Sequence, residues 1–312
     1  MSSRNATLLG LAVVVALLPL GLPSGTWFRV AALVWISALG AVGLQVLMGQ
    51  AGQVSLGHAG FFGIGAYAVA LGPKLLALPV WACLLAGPVL AGMVALLVGR
   101  PILRLRGHSL AVATLGLGML VSMVLVGENA VTGGPDGTAV PRLELFGWRV
   151  RGAETWYWIS GGALLLGVWV ALNLQDSPSG RALRALHESE VAAGTIGVDV
   201  ARWKLRAFVV ASVFAALAGA LQALLNGYVT PDAAGFLHSV EFVTMVVLGG
   251  LGSVPGAVVG AAILVLLPQA LAGFAEYETA LLGLLVMLCM IFLRQGIVPG
   301  LAGLLAPRRR AA

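Results

Sequence analysis

The side chains best suited to chemistry lie in one apolar stretch, 49–70, which reads GQAGQVSLGHAGFFGIGAYAVA. It combines six glycines with two amides, a serine and a histidine. Polar groups at membrane depth are costly unless they face protein or a water-filled cavity, and glycines let backbones approach closely. We therefore predict that the stretch forms part of a transport pathway wall, with His58 alternatively bonding two helices together. The predicted pathway residues are Gln53, Ser55, Gly57, His58 and Gly60.

The sequence holds no cluster of side chains typical of a catalytic or metal site. Catalysis normally needs grouped His, Asp, Glu, Cys or Ser, whereas the four histidines are scattered along the chain. Cys83 and Cys289 lie in apolar runs without a nearby His or Cys, which favours membrane-buried residues over a disulfide or metal ligands. The chain lacks a GxxxxGK[ST] phosphate loop, so we expect no ATP bound by that mechanism and no other cofactor.

The composition predicts an integral membrane protein. The 312 residues are 60% hydrophobic and only 10% charged, with a mean hydropathy of +1.00, whereas soluble domains carry about 25% charged residues. The apolar runs are long, unlike the short alternating segments of a barrel, so we predict an all-α polytopic fold. The net charge of +6 is better explained by membrane orientation than by nucleic-acid binding.

The apolar runs predict the membrane spans, since a crossing helix needs about 20 apolar residues. The predicted spans are 8–22, 29–48, 54–72, 77–99, 107–126, 156–174, 205–226, a longer run at 237–271, and 276–293.

The distribution of basic residues predicts the orientation, because cytoplasmic loops carry an excess of Lys and Arg. The basic clusters lie at 100–106, 181–206 and 294–310. The loop at 127–155 mixes both signs of charge and is predicted to lie outside. Run 237–271 must then start and finish outside, as two short helices or a re-entrant hairpin broken near 249–256. The prediction is one membrane domain over 1–312, with about ten helical segments and both termini cytoplasmic.

The basic loop at 177–206 is long for a connection between spans. Its apolar residues recur at roughly helical spacing, and two glycines follow. The pattern predicts one short amphipathic helix and then a glycine turn, which suits docking of a soluble partner; alternatively, the loop is basic only to fix the topology. The apolar residues are Leu183, Leu186, Val191 and Ile196, and the glycines are Gly194 and Gly197.

Five motifs follow one another between about residues 40 and 300. They are GQVSLGHAGFFGIGAYAVA, TLGLGML, TGGPDGTAVPRLELFG, GRALRALHESEVAAGTIGVDVARWKLRAFVVASVFAALAGAL and VVLGGLGSVPGAVVGA. Together they resemble the LivM-type permeases of branched-chain amino-acid ABC importers. Within the fourth motif, ESEVAAGTIG resembles the coupling loop of ABC-importer permeases, a short helix that fits a groove of the ATPase.

The resemblance implies a type II-like ABC importer permease in the cell inner membrane, forming half of the translocation pathway. It implies a LivH-type second permease, two cytoplasmic ATPases that use ATP, and a periplasmic or lipoprotein amino-acid-binding protein. The loop at 127–155 is the expected landing surface for that protein, although its charges alternatively remain solvated. The implied coupling residues are Arg184, Glu188, Glu190, Ala193 and Gly197.

Three other functions stay open at this point. A urea permease of the same family would share the architecture, as would, more distantly, a simple-sugar permease. A self-sufficient secondary transporter or channel should show an intramembrane acidic residue or an ion site. The candidate carboxylates Glu241, Glu276 and Glu278 are predicted near the outer edge, which does not favour that class.

Overall fold

The computed structural model describes residues 3–105, 107–145, 148–270, 283, 287, 291 and 296–300. Its α-helices are α1 (Ser3–Leu17), α2 (Gly25–Gln45), α3 (His58–Leu75), α4 (Val80–Ile102), α5 (His108–Gly127), α6 (Asn129–Thr132), α7 (Ala153–Asp176), α8 (Pro178–Glu188), α9 (Glu190–Thr195), α10 (Val200–Asn226), α11 (Phe236–Gly249) and α12 (Val254–Ala270). Its strands are β1 (Thr138–Ala139), β2 (Glu144–Leu145), β3 (Trp148–Arg149) and β4 (Tyr228–Val229).

The predicted all-α membrane architecture is confirmed. Six helical segments in the described part of the chain are long and apolar enough to cross a membrane: those beginning at Arg4, Gly25, Val80, His108, Ala153 and Val200. The α-helical part of the second ends at Gln45, and a π-helical turn, Val46–Gln50, follows. The predicted span 276–293, with Cys289, lies almost wholly outside the described residues.

The predicted span 54–72 is wrong at its start. Residues 51–57 form no helix, and α3 begins only at His58. Burial alternates along this irregular segment, with Gln53 and Ser55 buried and Val54 exposed. The glycines at both ends of the segment, which the hydropathy pattern ignores, weaken the helix there.

Helices α2, α3 and α10 form the centre of the bundle. The membrane window of α2 is 94% buried, whereas that of α1 is 6% buried and lies at the periphery. Glycines bring α3 and α10 together: a Cβ at Gly65 would collide with the Ala216 carbonyl, and one at Gly219 with the Phe62 carbonyl. The predicted use of glycine for close backbone approach is confirmed at this contact.

The run 237–271 is broken where its glycines and proline predict. Helix α11 ends at Gly249, and α12 begins at Val254 after Ser253 caps it by accepting the Gly256 N–H at 3.1 Å. The two helices pack antiparallel, since Gly249 lies against Gly256 and Gly260 lies against the Met245 carbonyl. At 14 residues, α11 is about 21 Å long and too short to cross the hydrocarbon core. The run is therefore a hairpin of two short helices.

Contacts between helix ends fix which segments share a side of the bundle. The N-terminal Arg4 donates to Asn173 at 3.1 Å, near the end of α7 that leads into 177–206. At the other end of α7, Tyr157 donates to the Val15 carbonyl at 2.7 Å. Residue 4 therefore lies on the side of the basic loop, which agrees with the predicted relation between the N-terminus and that loop.

The loop at 127–155 folds into short structured pieces on the opposite side. It contains α6, and β1 pairs with β4 while β2 pairs with β3, all antiparallel. Gly133 and Gly137 have φ of 83° and 75°, a conformation that favours glycine. Two glycines of the TGGPDG turn thus have a structural use.

Candidate functional site

The first candidate site is the break between α2 and α3. The π-helical turn ends at Gln50, and Gly52 turns the chain back with φ of 66°. Residues 51–57 then return along the bundle to His58, where α3 starts. Irregular backbone at membrane depth is tolerated where it is buried in protein or lines a water-filled cavity. This break is thus the point at which the chain from α2 to α3 departs from continuous helix.

Glycines and one threonine hold the end of this segment against α5. A Cβ on Gly118 would lie 3.1 Å from the Gly57 Cα, and a Cβ on Gly60 would lie 3.0 Å from the Gly118 Cα. The Thr114 hydroxyl accepts the Leu56 N–H at 3.1 Å and donates to a carbonyl of its own helix. Gly57 and Gly60 therefore fix the distance between α3 and α5.

Helix α3 begins inside the bundle, where its first N–H groups have no intrahelical partners. Ser239, on α11, accepts the Ala59 N–H at 3.0 Å. His58 bonds the Gly40 carbonyl of α2 through Nε2 at 3.0 Å and packs edge-on against Phe242, with ring centroids 5.3 Å apart. His58 thus connects α2, α3 and α11, in keeping with the helix-bonding alternative.

Three glutamine amides surround the break. The side-chain oxygen of Gln45 faces the α11–α12 hairpin. It accepts the Ser253 N–H at 2.8 Å and also the Gly252 N–H. Gln50 and Gln53 are 2% and 3% exposed, and neither amide has a hydrogen-bond partner. A buried polar group without a partner costs free energy that an apolar residue would not. These two amides are the least satisfied side chains of the segment.

The five predicted pathway residues are close in sequence and all buried inside the chain. Their structural roles differ, since Gly57 and Gly60 space two helices, His58 joins three, and Gln53 has no partner. Ser55 is 2% exposed. Their assignment to a solute pathway stays a prediction.

The second candidate site is the pair of short helices in the basic loop. Ser177 caps α8 by accepting the Gly180 N–H at 3.2 Å. Leu183 and Leu186 are 2% and 3% exposed and anchor α8 to the bundle. Arg184 donates to the Gln175 carbonyl at 2.8 Å and so satisfies an end carbonyl of α7.

The prediction of a single amphipathic helix is wrong. The helix stops at Glu188, and Ser189 starts α9 by accepting the Ala192 N–H at 3.2 Å. This reorientation exposes Val191 and Ile196, at 69% and 74%, although their spacing predicted the same buried face as the leucines. Val191 on α9 and Ile196 directly after it are thus exposed apolar side chains that no residue in the described part of the chain covers.

The glycine turn after α9 is confirmed. The Val198 N–H donates to the Ala193 carbonyl at 3.0 Å, and the Gly197 N–H donates to the Gly194 carbonyl at 3.2 Å. Gly197 has φ of 86°. This is the Schellman arrangement, in which a left-handed glycine ends a helix. Ala193, 1% exposed, packs beneath the turn.

A buried ion pair ties α9 to the membrane helix that follows it. Glu190 pairs with Lys204 of α10, whose side chain is only 4% exposed. Glu188 is exposed. Of the two predicted coupling carboxylates, Glu190 is thus engaged within the chain and Glu188 faces outward. The coupling role of both stays a prediction.

The two sites touch each other. A Cβ on Gly52 would lie 3.0 Å from His187 Nδ1, so the last turn of α8 lies against segment 51–57. A Cβ on Gly49 would meet the Gly252 backbone nitrogen, which places the α11–α12 hairpin against the π-helical turn. Helix α8, the break after α2 and the hairpin therefore meet at one end of the bundle.

Several residues of these two sites are not predicted from the sequence. Lys204 is one basic residue among many, Ser239 lies 180 positions from its partner Ala59, and Gln45 sits in an apolar helix. No local spacing signals such tertiary bonds. The break at Ser189 did carry a signal, since serine followed by an acidic first turn is a typical helix start.

Comparison with known proteins gives one family match covering most of the chain. Residues 26–293 match the family described as branched-chain amino acid transport system / permease component. The chain is 34% identical to the high-affinity branched-chain amino acid transport system permease protein LivM of Escherichia coli K12, over 94% of this chain and 74% of the relative. It is 34% identical to LivM of Salmonella typhimurium, over 86% and 69%.

A second permease type is also similar. The LivH permease protein of Salmonella typhimurium is 27% identical over 84% of this chain and 90% of the relative. No solved structure matches the chain.

Proposed function

We propose that this chain, which belongs to the family of permease components of branched-chain amino acid transport systems, forms half of the membrane pathway of an ATP-driven importer for branched-chain amino acids. The chain is a multi-pass membrane permease of this family and resembles permeases rather than enzymes. In this proposal its own side chains bind no cofactor, and ATP acts on partner ATPases.

The proposal rests mainly on the structure of the α8–α9 element. It is anchored by two buried leucines, tied to α10 through Lys204, and exposes Val191 and Ile196. Exposed apolar side chains surrounded by polar ones are typical of a protein interaction site. A rigid element with an apolar tip suits a groove of an ATPase, with Glu188 at its edge.

The remaining partners follow from the family. A LivH-type permease would supply the other half of the pathway, since relatives of both types match this chain. The side carrying the basic loop would face the cytoplasm, with both termini on that side. The loop at 127–155 would then receive a binding protein outside the membrane. Glu144, Arg142 and Arg151 lie on that surface.

In the pathway we propose that the break after α2 is the moving part of the wall. The unpartnered amides of Gln50 and Gln53 would find water or solute when the segment opens, and Ser55 would add a hydroxyl. Gly57 and Gly60 would set the closed distance from α5. A partner acting on α8 would reach this segment through the contact of His187 with Gly52.

Reconstitution tests the function directly. The chain, its second permease and the ATPases are placed in liposomes with the binding protein, and uptake of labelled leucine and urea is measured with and without ATP. We expect ATP-dependent leucine uptake that disappears when this chain is omitted. Urea uptake in place of leucine would assign the alternative substrate. Gradient-driven uptake by the chain alone would contradict the importer proposal.

The docking surface on α9 is tested separately by Ile196→Asp. A charge in an apolar interface must be desolvated, so we expect loss of ATPase co-purification while the second permease still co-purifies. Val131→Asp is the matched control, because Val131 is also apolar and exposed, at 41%, but lies on the opposite side. Retention of the ATPase by the Ile196 variant would remove α9 from the interface.

Orientation is tested with single cysteines in a cysteine-free chain. Gly194→Cys lies on exposed α9, and Ala139→Cys lies on the opposite side. A membrane-impermeant maleimide added to intact cells should label the second and spare the first until the cells are opened. Labelling of Gly194→Cys from outside would overturn the assigned topology.

A further inference from the structure

A basic groove lies where α4 ends and α10 begins, beside the α9 element. Its volume is about 550 Å³. Four cationic side chains line it together with one carboxylate and apolar residues. The cations are Arg100, Arg104, Arg202 and Lys204, and the carboxylate is Glu190.

Two of these cations are already neutralised within the chain. Arg202 pairs with Asp199 at 2.9 Å, and Lys204 pairs with Glu190. The side chains of Arg100 and Arg104 form no ion pair or hydrogen bond with any residue in the described ranges. The groove therefore presents two uncompensated positive charges, which suit an anionic ligand.

A second groove, apolar and about 440 Å³ in volume, continues from the first. The two grooves share Arg202 and Leu205. The second groove runs along the membrane part of α10, where Leu96 and Val210 form its walls. A soluble anion would not bind along this apolar groove, whereas an acyl chain fits it.

An aromatic residue lies in the wall of the apolar groove. Trp203 lines the apolar groove, and the Arg206 guanidinium stacks over its ring at 4.6 Å from the centroid. Tryptophan and arginine are typical of the membrane–water interface. On neighbouring α4, Leu97 is 76% exposed, as expected of a side chain that faces lipid.

We propose that these two grooves form a binding site for one anionic phospholipid. Its phosphate lies between Arg100 and Arg104, and one acyl chain lies in the apolar groove along α10. Basic pockets between helix ends on the cytoplasmic side suit acidic lipid headgroups. Charge complementarity alone would also admit an acidic protein segment, but the adjoining apolar groove favours the lipid.

The site bears on the docking element because they share a wall. The Glu190–Lys204 pair both lines the basic groove and joins α9 to α10. A bound phosphate adds negative charge next to Lys204 and holds the α10 end of this wall in place. Anionic lipid is thus expected to order the surface that α9 presents.

The test is native mass spectrometry of the delipidated full-length chain, titrated with phosphatidylglycerol and, separately, with zwitterionic phosphatidylcholine. We expect preferential binding of phosphatidylglycerol, weakened roughly 30-fold in Arg100→Gln/Arg104→Gln, at about 1 kcal/mol per charge. The control Arg142→Gln/Arg181→Gln removes the same charge from exposed residues that line neither groove, and should bind as the wild type does.

A second variant separates headgroup from chain. Val210→Phe narrows the apolar groove, so we expect weaker phosphatidylglycerol binding with unchanged binding of the headgroup analogue glycerol phosphate. Equal affinity for both phospholipids, or an arginine variant as lipid-bound as its control, would overturn the proposal. So would intact lipid binding with loss of ATPase co-purification in the arginine variant, which would assign the groove to protein.

Discussion

The ion pair between α9 and α10 supports a prediction in which two single substitutions have unequal effects. Lys204 keeps 4% of its side chain exposed, whereas Glu190 keeps 28%. Glu190→Gln leaves a buried ammonium without this carboxylate, and breaking a buried pair in this way costs about 3–5 kcal/mol. Lys204→Met leaves Glu190, which lines the basic groove and is less buried than the ammonium, so we expect a loss of only about 1 kcal/mol.

The double variant completes the cycle. Glu190→Gln/Lys204→Met removes both charges, and neutral replacement of a buried pair is often without net cost. We expect it within about 1 kcal/mol of the wild type. Since the two single losses sum to about 4–6 kcal/mol, the coupling free energy between the two sites is about 3–7 kcal/mol.

The assay is thermal unfolding of the purified chain in detergent, followed by tryptophan fluorescence. A loss of about 3 kcal/mol lowers the midpoint by roughly 6–12 °C, so Glu190→Gln should differ clearly from Lys204→Met. Equal midpoints for the two single variants, or a double variant as unstable as the sum of both, would refute the burial argument. High salt should leave the difference intact, because a buried pair is weakly screened.

Three further predictions concern the break between α2 and α3. Gly57→Ala forces a Cβ against a backbone carbonyl of α5 and should cost about 1–3 kcal/mol in thermal unfolding, whereas Gly116→Ala on α5, which meets nothing, should not destabilise. Ser239→Ala removes the cap of α3 and should cost about 0.5–2 kcal/mol, with a smaller loss contradicting the cap. Gln53→Met should leave the stability unchanged or raise it, yet slow uptake. Gln45→Met should cost about 1–3 kcal/mol, because it leaves buried N–H groups without an acceptor. A destabilised Gln53 variant would mean that the Gln53 amide has a partner.

The parts of the fold that sequence predicts are those set by short-range chemistry. The long helices follow from uninterrupted apolar length, and the α11–α12 break follows from GGLGSVPG, where glycines and a proline disfavour continuous helix. The glycine after α9 is equally local, since a left-handed residue ends the helix whatever surrounds it. Each of these features depends on residues within a few positions of one another.

The two wrong helix predictions, at 177–206 and at the start of α3, arise because local spacing was used where other contacts decide. Apolar spacing continues from Leu186 to Val191, so periodicity predicts one helix, but the Ser189 cap ends it and turns α9 outward. Before α3, hydropathy predicts helix from residue 54, yet residues 51–57 form no helix. Their few bonds are to other elements, such as that of Leu56 to Thr114. A tertiary partner supplied by a distant helix leaves no trace in local spacing.

The irregular elements of the bundle lie close together at one of its ends. Three elements lie on the side of the basic loop. They are the π-helical turn after α2, the turn of the α11–α12 hairpin, and helix α8, which follows α7. They meet partly through backbone, at Gly49, Gly52 and Gly252, and partly through the Gln45 amide, which bonds the hairpin. From α8, His187 lies against Gly52. A displacement of α8 therefore meets segment 51–57 without an intervening layer of side chains, and close-packed contacts of this kind transmit movement because they cannot be compressed.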